Sequence, residues 1–246
     1  EYVAVMLLGK VTDTQDTTGT VLEEHLVEVT EEQVKEAVLS FTGEYMQVPP
    51  MYSALKVNGK KLCDLARAGV TVERQARPVQ LYSIEIIKME LPRVCMRVRC
   101  SKGTYIRTLC QDIGEKLSCG ACMESLLRTK VSEFCVQDAL RLSEIEERVQ
   151  KAAGQTPSEQ WNAEMFDFIY AVDSVFLQYK KAVICKEWNK LLYNGNRMKK
   201  DMFVSYQKDW EQQKVRIYDE EGRFIGIYEY SEIHGDYKPV KLFMEA

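Results

Sequence analysis

The chain has 246 residues, 46% of them hydrophobic and 28% charged, and this ordinary globular composition excludes a disordered tail or a fibrous protein. Its length predicts one large domain or two unequal ones. The net charge of −4 argues by itself against a nucleic-acid partner. No apolar run approaches the ~20 residues of a membrane span, and no secretory signal peptide is visible.

The positive charge is unevenly distributed. Residues 1–47 carry ten acidic and two basic residues, whereas residues 93–110 carry five basic residues and no acid. Residues 55–78 and 179–200 are also rich in lysine and arginine. Two interpretations stay open: a focused anion-binding surface, or solvated faces scattered over the molecule.

The first part of the chain predicts short strands and two helices. Strands are predicted at residues 2–8 and 20–29, and helices at 30–41 and 61–68. Thr30 and Gln33 have the spacing of a capping box, and Gly69 is suited to end the second helix.

The middle of the chain predicts two strands and a regular helix. The strands are at 79–89 and 94–100; in the second, Arg97 and Arg99 lie opposite an apolar face. The helix follows Gly103, with Thr104 as its predicted cap. Arg107 falls in its first turn, where a cation opposes the helix dipole. Either this arginine has a function, or it pairs with a carboxylate distant in sequence.

The last part of the chain predicts a change in pattern. Predicted strands lie at 131–136, 214–219, 224–230 and 240–243, and predicted helices at 143–153, capped by Ser143 and Glu146, and at 187–193. Residues 154–160 are the best linker candidate. A large α/β part followed by a small β-rich part is therefore expected.

The eight cysteines raise the question of a metal site. Cys119 and Cys122 have the spacing of half a zinc site, but no second pair follows, and His25 and His234 are isolated. We expect reduced core thiols and no metal. Histidine-dependent nucleophilic catalysis is poorly supported for the same reason.

Three stretches together resemble a known family. They are Leu8-Gly9 with Thr12-Asp-Thr14, Asp16 and Gly19; residues 48–61 with 66–69 and 77–78; and Cys100-Ser-Lys-Gly-Thr-Tyr-Ile-Arg-Thr108 with 112–115 and 119–121. In this order they resemble the bacterial tRNA pseudouridine(55) synthases of the TruB type. The tail, with Asn194-Gly195, 215–219, 224–226 and 238–239, resembles the PUA domain of these enzymes.

The resemblance implies a fold, a reaction and a partner. The fold would be an α/β (α+β) pseudouridine synthase fold, with a mixed, mostly antiparallel sheet, flanking helices and a small β-rich PUA domain. Residues 1–153 would be the catalytic domain, 154–181 a connecting segment and 182–246 a PUA-like RNA-binding domain. The enzyme, a cytoplasmic monomer, would flip a T-loop uridine of tRNA and isomerise it without metal or organic cofactor.

The resemblance also assigns site residues. Tyr2 would stack on the flipped base, Tyr105 would lie near it, Arg107 would pair with the catalytic aspartate, and Leu126 would line the uracil pocket. Alternatively, Tyr2 and Leu126 are core residues. Phosphate contacts would come from six basic residues, which are otherwise surface charges: Lys56, Lys60, Lys61, Lys102, Arg128 and Lys130.

One departure from the family pattern affects the expected activity. The family nucleophile lies in a Gly-x-Leu-Asp-Pro motif, and no Leu-Asp-Pro occurs in this chain. We therefore expect that an N-terminal segment is absent, that Arg107 lacks its carboxylate, that the chain alone is inactive, and that an apolar sheet edge is exposed. The alternative is a non-catalytic RNA-binding or tRNA-folding module. A small-molecule enzyme would need a Gly-rich phosphate loop or a metal cluster, which the sequence lacks.

Overall fold

The computed structural model describes residues 1–57, 59–153 and 166–243. They form two compact units, Glu1–Ala139 and Leu140–Ala246. The division at 1–153, 154–181 and 182–246 remains a prediction, because the proposed linker at 154–160 lies outside the described residues.

The first unit contains a mixed set of strands and helices. Its strands are β1 (Tyr2–Leu8), β2 (Lys10–Thr12), β3 (Val21–Glu24), β4 (Gly43–Gln47), β5 (Lys56–Val57), β6 (Lys60–Lys61), β7 (Arg77–Glu90), β8 (Arg93–Cys100), β9 (Ala121–Arg128), β10 (Lys130–Val131) and β11 (Phe134–Cys135). Its helices are α1 (Glu31–Leu39), α2 (Leu62–Arg67) and α3 (Ile106–Lys116).

A five-stranded sheet organises this unit. The strand order is β4-β7-β8-β1-β9, and all four neighbouring pairs are antiparallel. Strand β1 forms because its apolar residues fit between two neighbours, and Ala4 and Met6 are fully buried. Helices α1 and α3 contribute to the same core through their apolar stripes: Val34, Val38, Ile106, Leu109, Cys110 and Ile113. Each such side chain contributes about 1.5–3 kcal/mol when fully buried.

Helix α3 lies very close to β9. A Cβ atom at Gly114 would fall 2.2 Å from the backbone nitrogen of Ala121, so only glycine fits at this approach. Strand β9 pairs with β1 on one side, and on its other side Met123 exchanges backbone hydrogen bonds with Gln15 and Thr17. At the far end of β9, Leu126 is 43% exposed and Leu127 is 52% exposed. Within the described residues, the exposed apolar sheet edge that we expect from the sequence is therefore limited to this end of β9.

Several predicted elements are confirmed. The strand at 2–8, the α1 capping box and the positive φ of Gly69 are present as predicted. In β8, residues 94, 96 and 98 are buried, and Arg97 on the other face bonds to Glu85 of β7 at 2.5 Å. The alternating strand therefore has the half-exposed character that its sequence predicts.

Other predictions are wrong in detail. The strand predicted at 20–29 ends at Glu24, and the strand at 131–136 is the short hairpin β10–β11, with Ser132 at φ 51° between its strands. Strands β4 and β9 were not predicted from the sequence. Neither alternates cleanly, and each is fixed by pairing with a distant strand, which local propensity does not encode.

The second unit contains a smaller sheet. Its elements are α4 (Leu142–Ala153), β12 (Lys180–Ile184), α5 (Asn189–Tyr193), β13 (Met198–Lys199), β14 (Lys214–Asp219), β15 (Phe224–Ser231) and β16 (Asp236–Leu242). The strand order is β12-β14-β15-β16-β13, with β12 and β14 parallel. The predicted hairpin is present, turning at Gly222 with φ 84°. Helix α4 begins at Leu142, so Ser143 is not its cap.

The cysteines bear on metal binding, and the helices bear on membrane crossing. All eight cysteines are free, and Cys110, Cys119 and Cys122 are buried. Among the described residues, no group of three or more His, Cys, Asp or Glu side chains could hold a metal ion. Within the same residues, no helix combines the length and the apolarity needed to cross a membrane.

Candidate active site

Arg107 is held at the start of α3 by two loops. Its Nη1 lies 3.0 Å from Asp16 Oδ2 and 3.1 Å from the carbonyl oxygen of Thr14, and its Nη2 lies 2.8 Å from the carbonyl oxygen of Tyr52. The side chain of Arg107 is 23% exposed and that of Asp16 is 16% exposed. The guanidinium is therefore fixed by three acceptors while one part of it stays accessible to solvent.

Asp16 is itself surrounded by hydrogen-bond donors. Its Oδ1 accepts bonds from Thr14 Oγ1 at 2.9 Å, from Thr18 N at 3.0 Å and from Thr18 Oγ1 at 2.5 Å. Burial by itself raises the pKa of Asp16, but the bonds from Thr18, Thr14 and Arg107 outweigh it and leave the pKa below its ordinary value. Asp16 is thus an anion matched to the Arg107 cation.

The loop that carries Asp16 is anchored on both sides. Gln15 accepts a bond from Thr108 Oγ1 of α3 at 2.8 Å through its side chain, and its backbone carbonyl accepts from Met123 N of β9 at 2.9 Å. A Cβ atom at Gly19 would lie 2.2 Å from Thr14 Oγ1, so a larger residue there would displace the Thr14 side chain that bonds to Asp16. The loop therefore presents Asp16 in a fixed position.

Arg107 does have a carboxylate partner: Asp16, 91 residues away, pairs with it. The expectation that Arg107 lacks the family's catalytic aspartate stays a prediction. The alternative interpretation, an arginine paired with a carboxylate distant in sequence, is confirmed. Asp16 lies in the Thr12 to Gly19 stretch that carries part of the family resemblance. This resemblance is the sequence feature that could have identified Asp16 as a site residue.

Tyr105 immediately precedes α3, and its backbone is bound by Gln47 from the end of β4. The amide nitrogen of Tyr105 donates to Gln47 Oε1 at 2.8 Å, and its carbonyl oxygen accepts from Gln47 Nε2 at 3.0 Å. Thr104 is not the N-cap as predicted: Tyr105 holds that position, and Thr104 Oγ1 bonds to Ser101 O. Sequence reasoning missed Gln47, because nothing local relates β4 to this helix.

Tyr2, Leu126 and Arg128 are related by the register of β1 and β9. Tyr2 pairs with Arg128, and Ala4 pairs with Leu126. Directly paired residues point to the same face of a sheet, so these side chains share the face that α3 covers. Tyr2 is half-buried against the core, and Leu126 is largely open. In the described residues, no hydrogen bond joins Tyr2 to Arg107 or Asp16.

The six predicted phosphate contacts are all exposed: Lys56, Lys60, Lys61, Lys102, Arg128 and Lys130. None of them forms an ion pair within the described part of the chain. In the small β5–β6 hairpin, Lys56 pairs directly with Lys61, an arrangement of like charges that destabilises a free hairpin. Lys102 also lines a cavity of about 170 Å³ together with Gln47 and Tyr105.

Comparisons with known proteins assign the fold and the family. A solved Cbf5-Nop10-Gar1 complex contains a chain with the same fold: TM-score 0.66, 20% identity, 99% of this chain and 66% of that one covered. Residues 1–106 match the sequence model of the TruB family pseudouridylate synthase N-terminal domain. Residues 107–177 match that of the tRNA pseudouridylate synthase B C-terminal domain.

Two relatives named tRNA pseudouridine synthase B are similar over most of the chain. The protein of Lachnoclostridium phytofermentans is 48% identical over 218 residues, which are 84% of this chain and 67% of the relative. That of Clostridium kluyveri is 37% identical over 243 residues, 99% of this chain and 78% of the relative. The chain belongs to the TruB family of pseudouridylate synthases.

Proposed function

We propose that this protein functions in the isomerisation of uridine to pseudouridine in the T loop of tRNA, at position 55. The observation that carries the proposal is the Arg107–Asp16 pair at the start of α3, in a chain that belongs to the TruB family. In this reaction the bond between C1′ and N1 breaks, the uracil turns, and a bond between C1′ and C5 forms. The proton on C5 leaves, and N1 regains one, so no cofactor is consumed.

The uridine must leave its stack before it can react, since its atoms are inaccessible within a folded loop. Tyr2 and Leu126 lie on the sheet face beside α3 and would receive the flipped base, Tyr2 by stacking. Tyr105, the N-cap residue of α3, and Arg107, in its first turn, would act on the same base. A fixed guanidinium stabilises negative charge that develops during the reaction without having to reorganise.

Asp16 acts as the partner of Arg107 and not as the nucleophile. Both of its carboxylate oxygens already accept hydrogen bonds, and its lowered pKa makes it a weak base. The attacking carboxylate is proposed to be the family's Gly-x-Leu-Asp-Pro aspartate, which is not among the aspartates of this chain. This sequence observation also keeps a second function open, that of a non-catalytic RNA-binding or tRNA-folding module.

RNA binding is supported by the free cations. Lys56, Lys60 and Lys61 lie together on one hairpin, and Lys56 pairs with Lys61, so that a phosphate between them would relieve the repulsion. Lys102, Arg128 and Lys130 would add contacts that position the T arm. Residues 182–246 would bind RNA as a PUA-like domain, and the protein would act as a monomer in the cytoplasm.

Tritium release from a T-arm RNA labelled at C5 of the uridine tests this function. We would assay this chain and a second form, extended at its N-terminus by a Gly-x-Leu-Asp-Pro segment, and measure RNA binding in parallel. Release only by the second form supports the whole proposal. Release by the 246-residue chain supports isomerisation and overturns the assignment of the nucleophile. Binding without release by either form overturns isomerisation and favours the RNA-binding module.

A further inference from the structure

Gln47 is a buried polar side chain that joins the central sheet to the start of α3. It is 2% exposed, and it bonds to both the amide and the carbonyl of Tyr105. The Tyr105 carbonyl also accepts from Leu109 N at 3.1 Å in the normal helical pattern. Two of the three hydrogen bonds on the backbone of Tyr105 therefore come from one side chain of another element.

The side chains of Arg107 and Thr108 also bind neighbouring loops, but the backbone at the start of α3 has no cap from its own side chains. Tyr105 is the N-cap residue, and its side chain makes no capping bond. The first turn holds no acidic residue, and it carries Arg107, whose charge is unfavourable there. A serine, threonine or aspartate would normally fix such a start from within the helix. Here Gln47 takes the place of that cap and binds the backbone of the N-cap residue.

The segment from Gln47 to Tyr52 contacts this turn at two points. Gln47 binds the backbone of Tyr105 at one end, and the Tyr52 carbonyl accepts from Arg107 Nη2 at 2.8 Å at the other. Between them, Pro49 and Pro50 restrict the backbone. A displacement at Gln47 would therefore change the position of the Tyr105 side chain and of the Arg107 guanidinium together.

We propose that Gln47 is a positioning residue for the isomerisation, which it serves by fixing Tyr105 and the first turn of α3 relative to the flipped uridine. This inference rests on the proposed function. Gln47 itself need not touch the substrate. Its effect is expected in the chemical step, because misplacement of a reacting site by about 1 Å can lower a rate about 100-fold.

The test begins with Gln47→Met, which keeps the length of the side chain and removes its donor and its acceptor. In the form of the protein that releases tritium, we expect the single-turnover rate to fall about 10- to 100-fold. The Kd for T-arm RNA should stay within about three-fold, because the phosphate contacts are on other elements. A loss confined to Kd would overturn the proposal.

The variant Gln47→Glu tests the positioning role through the pH dependence of its rate, which a purely structural role would leave unchanged. An ionised carboxylate still accepts from the Tyr105 amide, and it can accept from the Tyr45 hydroxyl, which Gln47 Nε2 contacts in the original protein. It repels the Tyr105 carbonyl, however, whereas a protonated carboxyl can donate to that carbonyl again. The rate of this variant relative to the original protein should therefore rise as the pH is lowered from 8 towards 5. A flat ratio across this range would contradict the positioning role.

Two controls separate positioning from loss of stability. Gln33→Met removes a bond of the same kind at the start of α1, where Gln33 Oε1 accepts from Thr30 N at 2.8 Å. Val38→Ala leaves a cavity in the core, where Val38 is fully buried. Both should keep the rate within about two-fold. If Val38→Ala lowers the rate as much as Gln47→Met at an equal fall in Tm, the proposal is wrong.

Amide hydrogen exchange tests whether Gln47 fixes the start of α3 without the use of an activity assay. The amides of Tyr105 and Leu109, which bond to Gln47 and to the Tyr105 carbonyl, should exchange faster in Gln47→Met and at an unchanged rate in Gln33→Met. If the form that carries a Gly-x-Leu-Asp-Pro segment also releases no tritium, the proposed function fails, but the exchange still shows whether Gln47 fixes this turn. Unchanged exchange in Gln47→Met would overturn the inference whatever the activity.

Discussion

Helices α1 and α3 begin in opposite ways. In α1, Thr30 and Gln33 bond to each other's backbone from three positions apart. In α3, the corresponding support comes from Gln47, 58 residues before the helix, while the first-turn arginine pairs with Asp16, 91 residues before it. The start of α1 is stabilised by residues within a single turn. The start of α3 acquires its hydrogen bonds only when the sheet and two loops have assembled.

The source of the hydrogen bonds at a helix N-terminus indicates whether they stabilise the helix or also fix its position. A local capping box stabilises its helix but says nothing about where the helix must stand. A start bound from distant elements fixes the helix in space, at the cost of making its geometry depend on the whole fold. The α3 start also carries Tyr105 and Arg107, the two residues that we propose act on the uridine, and their proposed roles would require a fixed position.

The largest effect should come from Arg107→Ala. Removing a fixed charge that stabilises the reaction is expected to lower the rate of tritium release at least about 100-fold. The Kd for T-arm RNA should change no more than about three-fold. Arg93→Ala is the matched control, since Arg93 pairs with Glu124 on the exposed surface at 2.8 Å. An unchanged rate in Arg107→Ala would show that Arg107 takes no part in the reaction.

Asp16→Asn should have the next largest effect. It leaves Arg107 half-buried without a carboxylate, so we expect the rate to fall about ten-fold and the free energy of unfolding to fall by about 1–3 kcal/mol at pH 7. Since the pKa of Asp16 is lowered in the folded protein, its contribution is present above its ordinary value of about 4 and is lost as the pH falls through the lowered pKa.

The pH dependence of Asp16→Asn can be checked by urea unfolding at pH 7 and at pH 3. The difference between the variant and the original protein should be large at the first pH and should shrink at the second. A difference that stays constant would mean that the charge of Asp16 does not stabilise the fold.

At the start of α1, Thr30→Ala should affect stability alone. Loss of the capping bond is expected to lower the free energy of unfolding by about 1 kcal/mol, while the rate of tritium release stays within about two-fold. Thermal unfolding and the release assay measure the two quantities on one sample. A ten-fold loss of rate would mean that α1 also positions the site, and the contrast between the two helices would disappear.

The smallest effect is expected from Asp112→Asn on α3. Burial, with a contribution from Glu115, raises the pKa of Asp112 to about 6, so the folded protein binds this proton more tightly than the unfolded chain. Its contribution to stability therefore falls as the pH rises from about 4 to about 6. The variant should be more stable by about 0.5–1 kcal/mol at pH 7.5 and equal at pH 4. A uniform gain at both values would contradict this assignment.

The sequence predicted those parts of the molecule whose causes are local. The capping box of α1, the alternation of β8 and the turn at Gly222 each depend on a few neighbouring residues, and each is present. Helix α3 was also predicted, as was the anomaly of Arg107. The family resemblance added the catalytic context, which composition and periodicity do not contain.

The sequence did not predict the partners that complete the site. Asp16 lies in a polar turn that could pair with any cation, and Gln47 precedes two prolines with no sign that it is buried. Their roles are set by long-range packing: the pairing of β4 with β7, and the bonds between the Asp16 loop and β9. No local pattern specifies such contacts, because many assemblies would satisfy the same local preferences.

The close approach of Gly114 to Ala121 limits how α3 can move. The contact acts as a pivot seven residues beyond Arg107, about 10 Å along the helix axis. Any side chain at this pivot would push the helix away from β9 and tilt its far end. The three acceptors around Arg107 lie at 2.8–3.1 Å, so a tilt of about 1 Å would break them. The hydrogen bonds of Arg107 thus depend on Gly114, where a hydrogen atom in place of a side chain lets α3 lie against β9.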